Sequence, residues 1–285
     1  MALAGQVIKG DARAAARLIS LLENGAPEAA PEMDLIYPQT GRAAIIGLTG
    51  APGTGKSSLA GAIIKALRGQ GKTAGVIAID PSSAVSGGAM LGDRVRMQEH
   101  STDPGVFIRS LATRGWAGGL AKAALGAVHV LDALGMDYVF IETVGAGQVE
   151  VDIAAAADTT LVVLNPGAGD DIQTLKAGIL EAADIFVINK ADRDGASLLK
   201  EDLETLTQSQ KDWKAPVVLT TAIEGKGIGE LVRELEKHRE HLIKTGQMEE
   251  RRKRRLRLEL LALLEAAWRG ILEDVLATSL SVSYT

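Results

Sequence analysis

The chain has 285 residues, 46% of them hydrophobic, with three each of Trp, Tyr and Phe and no cysteine; 31 Lys and Arg stand against 36 Asp and Glu, a formal net charge of −5. At about 150 residues per domain this is one or two globular units with apolar content ample for a core. Lack of cysteine excludes disulfides, thiolate zinc sites, cysteine-ligated iron–sulfur clusters and a cysteine nucleophile, and net acidity argues against a protein whose task is to neutralise nucleic-acid phosphates.

Residues 1–9 lack the basic start and long apolar core of a secretory signal, and no stretch approaches about 18 uninterrupted apolar residues, so a soluble, cytoplasmic protein is expected, with neither nucleic acid nor membrane as partner. Asp11–Leu22 reads as a short helix capped by Asp11, with Leu18, Leu21 and Leu22 on one face, followed by a proline-bearing linker through Pro38. From Ala43 on, Val/Ile/Leu-rich runs alternate with segments of helical period. The runs are Ala43–Leu48, Thr73–Asp80, Val106–Leu111, Asp137–Glu142, Thr159–Leu164, Ile185–Asn189 and Pro216–Thr220, with helices expected at Ser57–Arg68, Trp116–Leu134 and Asp171–Glu181. Strands apolar on both faces and alternating with helices predict an α/β fold, a doubly wound, mostly parallel sheet with ligands at the carboxyl ends of its strands.

Downstream, Leu256, Leu260, Leu263, Leu264, Ala267, Ile271 and Val275 recur at helical spacing. The stripe either docks on its own domain or forms a dimer arm. Three parts are expected: a helical extension over 1–40, a P-loop domain over 41–245 and a helical arm over 246–285.

The strongest chemical signal is Gly50-Ala51-Pro52-Gly53-Thr54-Gly55-Lys56-Ser57, which follows one predicted strand and, with Ser58, opens a helix. Its glycines let backbone wrap phosphate oxygens, and the helix amino terminus turns N–H groups and positive dipole toward the anion. Lys56 is expected to reach the β- and γ-phosphates and Ser57 to ligate Mg²⁺. Further oxygen ligands are expected from Asp80 and Glu142, each at a strand end, and from Asp93 in the glycine-rich Ser86–Arg96 segment, while Gly145 N–H can meet the γ-phosphate. Asn189-Lys190-Ala191-Asp192 follows an apolar strand. A carboxylate at Asp192 accepts the N1–H and 2-amino hydrogens of guanine. Adenine presents an acceptor instead, which disfavours ATP by about 1–3 kcal/mol. Lys190 can lie across the base, Asn189 can tie this loop to the phosphate loop, and Thr221-Ala222-Ile223 can close over guanine with backbone N–H groups. GTP or GDP with Mg²⁺ is therefore the expected ligand pair.

These motifs, with Ile79-Asp-Pro-Ser-Ser83, Gly87–Arg96, Leu111-Ala-Thr-Arg-Gly115, Glu142-Thr-Val-Gly-Ala-Gly-Gln148 and Pro166-Gly-Ala-Gly-Asp-Asp-Ile-Gln173, resemble the MeaB/ArgK-type P-loop GTPases, the methylmalonic aciduria type A protein family. The likeness runs from about Asp11 to Leu235. It implies a G-protein chaperone whose GTP hydrolysis gates adenosylcobalamin loading into an acyl-CoA mutase, such as methylmalonyl-CoA mutase, and protects that mutase; a homodimer is the expected assembly. A glutamine directly follows the corresponding glycine in small Ras-like GTPases, but here the residue after Gly145 is Ala146, so slow intrinsic turnover is expected. Gln148 and Lys176 are candidates to act when a partner orders their loops. Gly167–Lys176 is either such a switch or a plain lead into a helix.

Three other classes compete, one of them a partitioning ATPase, which would carry an extra lysine early in the P-loop where this chain has Ala51. A nickel-delivery maturation GTPase would handle metal through Cys and His, and a small-molecule (arginine) kinase would need an acceptor base. Arg251-Arg-Lys-Arg-Arg255 could be a nucleic-acid or targeting patch, but its neighbours Glu249 and Glu250 favour a solvated helical face; His238 and His241 are expected to be exposed, and Trp116, which with Arg114 could touch nucleotide or mutase, is expected to pack locally.

Overall fold

A computed structural model describes residues 2–80, 100, 102–112, 122–143, 156–167, 183–208, 210 and 212–282. Seven strands form a single parallel sheet: β1 (Ala44–Thr49), β2 (Ala74–Asp80), β3 (Val106–Ala112), β4 (Tyr138–Thr143), β5 (Thr159–Leu164), β6 (Ile185–Asn189) and β7 (Val217–Thr220), in the order β3-β2-β4-β1-β5-β6-β7. Each lies within about one residue of the span that its apolar run predicts. The chain moves outward from β1 to β2 and β3, returns through β4, then continues on the far side with β5. That reversal opens a crevice at the carboxyl end of β1.

Apolar residues alternate between two helical layers. Ile45, Ile77, Val139 and Ile141 face α1 (Leu3–Val7), α2 (Ala12–Glu23), α3 (Ala29–Ile36) and α5 (Lys122–Ala133), with α4 (Lys56–Gly69) on the other face. With α4, that other face packs α7 (Ile228–Thr245) on Ile46, Leu48, Phe140, Leu161 and Val163, and α6 (Ala196–Thr207) covers Val162, Leu164, Phe186 and Ile188. Each such fully buried side chain contributes about 1.5–3 kcal/mol, so the sheet is anchored through its centre and its crevice is held rigidly.

The amino-terminal segment departs from expectation. Asp11 does cap α2, accepting Arg13 N at 2.8 Å and Ala14 N at 3.1 Å, but the expected linker is helical. Pro31 falls in the first turn of α3, where its missing N–H costs no hydrogen bond. Met33 and Ile36 are then free to bury, and Glu32 accepts Ala4 N at 2.6 Å to fasten α1.

At the other end, α8 (Gln247–Val282) projects with Leu256, Leu260, Leu264, Ile271 and Val275 exposed, while its first turns dock. The expected solvated basic face is corrected here. Arg255 is only 7% exposed and bonds Asp158 Oδ1 at 2.9 Å, Arg251 forks onto Asp184, and Arg252 donates to Gly41 O; Lys253 and Arg254 do face solvent. Further along, Glu259 accepts Tyr37 Oη at 2.7 Å and meets His129 Nε2 at 2.9 Å. His238 is likewise buried rather than exposed. Its Nδ1 lies 2.9 Å from Thr159 Oγ1, its Nε2 lies 3.3 Å from Asp184 Oδ1, and its ring packs on Trp213. His241 is half-buried against the same tryptophan. Buried acids at the strand ends recruit these bases, because a carboxylate withdrawn from water needs a paired cation or several donors. Among the described residues, no helix is long and apolar enough to cross a membrane.

Candidate functional site

β1 ends at Thr49, and the chain turns through Gly50 and Gly55 into α4. Gly50 has φ +141°, and a Cβ there would strike the Val163 carbonyl of β5. Gly55 has φ +90°, and a Cβ there would sit 2.5 Å from Asn189 Nδ2. Both positions therefore demand glycine for conformation and for space. The start of α4 carries no side-chain cap, so its first-turn N–H groups point into the loop as an anion site. Thr54 Oγ1 donates to Ala51 O at 2.9 Å, and the buried Lys56 donates Nζ to Gly50 O at 2.7 Å and Ala51 O at 3.2 Å. The lysine is thus folded across the mouth of the loop it is expected to serve; Pro52 and Gly53 form its exposed tip.

Ser57 Oγ donates to Glu142 Oε1 at 2.6 Å, and both side chains are buried. Parallel pairing of β1 with β4 sets Leu48 beside Glu142, which delivers the carboxylate to the first turn of α4. A hydroxyl and a carboxylate are hard oxygen donors, the chemistry Mg²⁺ selects, so this pair fits that ion. β2 lies on the other side of β4, with Ala78 beside Glu142, and its last residue, Asp80, ends at the same edge. The Asp80 side chain, Asp93, Gly145, Gln148 and Lys176 lie outside the described residues, as do Arg114 and Trp116.

Asn189 ties three segments together. Its Nδ2 donates to Thr54 O at 2.9 Å, and its Oδ1 lies 3.1 Å from Ala222 N and 3.3 Å from Thr220 Oγ1. The expected link between base loop and phosphate loop is thus a buried hydrogen bond. Lys190 is the one described non-glycine residue in the left-handed region, at φ +56°, and its Nζ donates to Gly53 O at 2.6 Å. Such backbone strain costs about 1–3 kcal/mol and persists where the surroundings impose it. Asp192 is exposed, with Thr221 Oγ1 3.5 Å from its Oδ1. One expectation is adjusted: Thr221 N donates to Lys226 O at 3.1 Å and Ala222 N to Asn189 Oδ1, so those two N–H groups serve the loop itself. Ile223 in the same turn is 85% exposed.

Sequence reasoning passed over two residues. Asn165, just after β5, sets its side-chain amide against the Gly53 and Thr54 carbonyls. His100 places Nε2 3.0 Å from Gly61 O and lines a cavity of about 630 Å³ between α4 and the turn into α7. Ser58, Ala222 and Ile223 line the same cavity, so it adjoins the expected nucleotide site. Neither residue sits in a recognisable spacing; only tertiary contact reveals them.

A central parallel strand feeding a glycine-rich phosphate loop, with an Asn-Lys-x-Asp loop bonded to that loop, defines a P-loop GTPase. Residues 15–274 match the family described as methylmalonyl-CoA mutase-associated GTPase MeaB, and the chain belongs to that family. It is 53% identical over 271 residues to a protein assigned as a GTPase in Pyrococcus abyssi, covering 93% of this chain and 84% of the relative. It is 36% identical over 214 residues to the mouse mitochondrial methylmalonic aciduria type A homolog, covering 73% of this chain and 52% of that protein. The crystal structure of an LAO/AO transport system kinase superposes with a TM-score of 0.76 over 96% of this chain and 85% of the other; at 24% identity it speaks to the fold alone.

Proposed function

We propose that this GTPase is a chaperone that gates adenosylcobalamin loading into an acyl-CoA mutase, such as methylmalonyl-CoA mutase, and protects the mutase from inactivation. The nucleotide reading rests on one observation above all, the Asn189 bridge that fixes a guanine-reading carboxylate loop to the phosphate loop. The mutase reading is supported by membership of a mutase-associated family. For this role the chain divides into the extension 1–40, the GTPase domain 41–245 and the arm 246–285.

In this reading the Gly50–Gly55 backbone and the α4 amino terminus bind the phosphates, and Lys56 leaves its loop carbonyls for the β- and γ-oxygens. Ser57 and Glu142 would hold Mg²⁺, with Asp80 and Asp93 as further oxygen donors, and the ion would supply neutralisation of phosphate charge. Gly145 N–H meets the γ-phosphate. Asp192 selects guanine by accepting two hydrogens, while Lys190 and Ile223 flank the base. Attack on the γ-phosphate needs an oriented water, and Ala146 offers no side chain for that. Gln148 and Lys176 supply the orienting and charge-stabilising groups in complex with the mutase. Turnover is therefore slow alone and fast in complex, in the cytoplasm.

The exposed stripe of α8 is proposed to pair with a second copy. Replacing Leu260 and Trp268 by Glu then yields a monomer by light scattering.

The deciding experiment measures GTP hydrolysis with and without the mutase encoded nearest to this gene. Stimulation, lost in Lys176→Ala, is expected. A rate indifferent to every acyl-CoA mutase, or ATP bound as tightly as GTP, sinks the reading.

A further inference from the structure

Three arginines of one helix lie against the amino ends of three strands whose carboxyl ends carry the nucleotide site. Arg251 forks onto Asp184, Nη1 to Oδ2 and Nη2 to Oδ1, both at 2.7 Å, and Nη1 also donates to Asp158 O at 2.8 Å. Asp184 immediately precedes β6 and accepts Thr160 N of β5 at 2.8 Å. Arg255 donates to Asp158 Oδ1 at 2.9 Å and to Ala156 O at 3.0 Å, while Asp158 Oδ2 accepts Ile45 N of β1 at 2.9 Å. Arg252 donates to Gly41 O at 2.6 Å, ahead of β1. One face of α8 thus grips β1, β5 and β6 together.

At their other ends, β1 runs into the phosphate loop, β5 into Asn165 against that loop, and β6 into Asn189 and the guanine loop. Strands this short separate the two edges by about 17–20 Å. Asp158 is 2% and Asp184 5% exposed. Carboxylates so withdrawn from water hold their partners tightly, because breaking either pair leaves an uncompensated buried charge. The base of α8 cannot shift unless the strand ends shift with it.

We propose that Arg251 and Arg255 are positioning residues for nucleotide binding: through Asp184 and Asp158 they set the relative placement of β1, β5 and β6, and so the spacing of phosphate loop and guanine loop. By reciprocity, nucleotide bound at one edge tightens the seat of α8 at the other. The proposal rests on the reading of Gly50–Ser57 and Asn189–Asp192 as the GTP site. If the arginines merely fasten the arm, their loss lowers the melting temperature but leaves the nucleotide affinity of the folded protein unchanged.

The test uses the full chain, with GDP as probe, well below the melting temperature. Arg251→Lys and Arg255→Lys keep the charge and lose the planar fork; Arg254→Ala, exposed in the same run, is the control. The two lysine variants are expected to bind GDP about fivefold more weakly, the lower end of ordinary coupling between separated sites, with Arg254→Ala unchanged. In the unaltered chain, GDP should slow amide exchange over residues 247–259. A folded lysine variant with affinity within about twofold of the parent overturns the proposal, and so does exchange in the parent that ignores bound GDP, which decides the matter even if neither variant folds. A parent chain that binds no GDP removes the site reading and this proposal with it, an outcome distinct from the other two because it shows in the unaltered protein.

Discussion

Gly227 closes the turn that brings Thr221–Ile223 over the expected base position. Its φ is +76°, and a Cβ would strike the Leu219 carbonyl, while Thr221 and Lys226 form an isolated bridge just before it. Gly227→Ala therefore combines a left-handed conformation with a backbone clash. The expected cost is about 1–3 kcal/mol or more of stability, read as a lower melting temperature, together with weaker GDP binding because the displaced turn carries Ile223. Asp192 poses the opposite case. It is exposed and structurally undemanding, so Asp192→Asn should melt like the parent yet lose guanine preference. The amide offers a donor where the 2-amino group needs an acceptor, at a cost of about 1–3 kcal/mol. Xanthosine triphosphate, with a carbonyl at that position, should compete better than GTP. Asp192 was legible in the sequence because the Asn189–Asp192 chemistry is packed into a short spacing, whereas Gly227 was not. Asn165 and His100 were not, since each meets its partner only after β5 or α4 has been placed beside it by the sheet.

At the scale of elements, the seven strands were legible because a parallel strand covered on both faces must be a near-continuous apolar run. Helices were less so. The three prolines at 27, 31 and 38 read as a linker, yet a proline in a first helical turn is tolerated, and Met33 and Ile36 supply the burial that makes α3 form. The arm misled in another way. Arg251, Arg255 and Glu259 recur at a spacing of four and so share one face, but their partners stand 67, 97 and 130 positions away in the chain. Local charge balance with Glu249 and Glu250 hid a set of long-range ties. Replacing Arg255 by Met should cost about 3–5 kcal/mol, since Asp158 would stay buried with an unanswered charge. Lys253→Ala, whose ion pair with Glu250 is solvent-exposed on both sides, should leave the urea unfolding midpoint where it is. Equal effects from the two would mean that the arm is held by bulk charge, not by these ties.

For the molecule as a whole, the seam between arm and body sets the response to acid. Burial acts to raise the Asp184 carboxyl, but the His238 ring nitrogen 3.3 Å away and the paired Arg251 guanidinium outweigh that and hold it below the ordinary aspartate range. Burial likewise acts to raise Glu259, and the bonds to His129 and Tyr37, with the nearby Arg255 charge, hold it low. A carboxylate whose folded value is depressed stabilises the native state fully above its unfolded value, about 3.9 for Asp and 4.3 for Glu, and loses that contribution as pH falls through the folded value. The melting temperature should therefore vary little on account of these two groups above about pH 5 and drop steeply below about pH 4. Since Asp184 seats α8 at the start of β6 and Glu259 seats it on His129 of α5 and on Tyr37, the first event on acidification should be release of the arm, visible as a loss of amide protection over residues 247–259 before the sheet opens. Glu259→Gln removes one of the two titrations. That variant should be less stable than the parent at neutral pH yet show a shallower decline below about pH 4.5, so that the two curves converge in acid. Parallel curves would show that Glu259 gains nothing from ionisation in the folded state, and that the seam is held by packing alone.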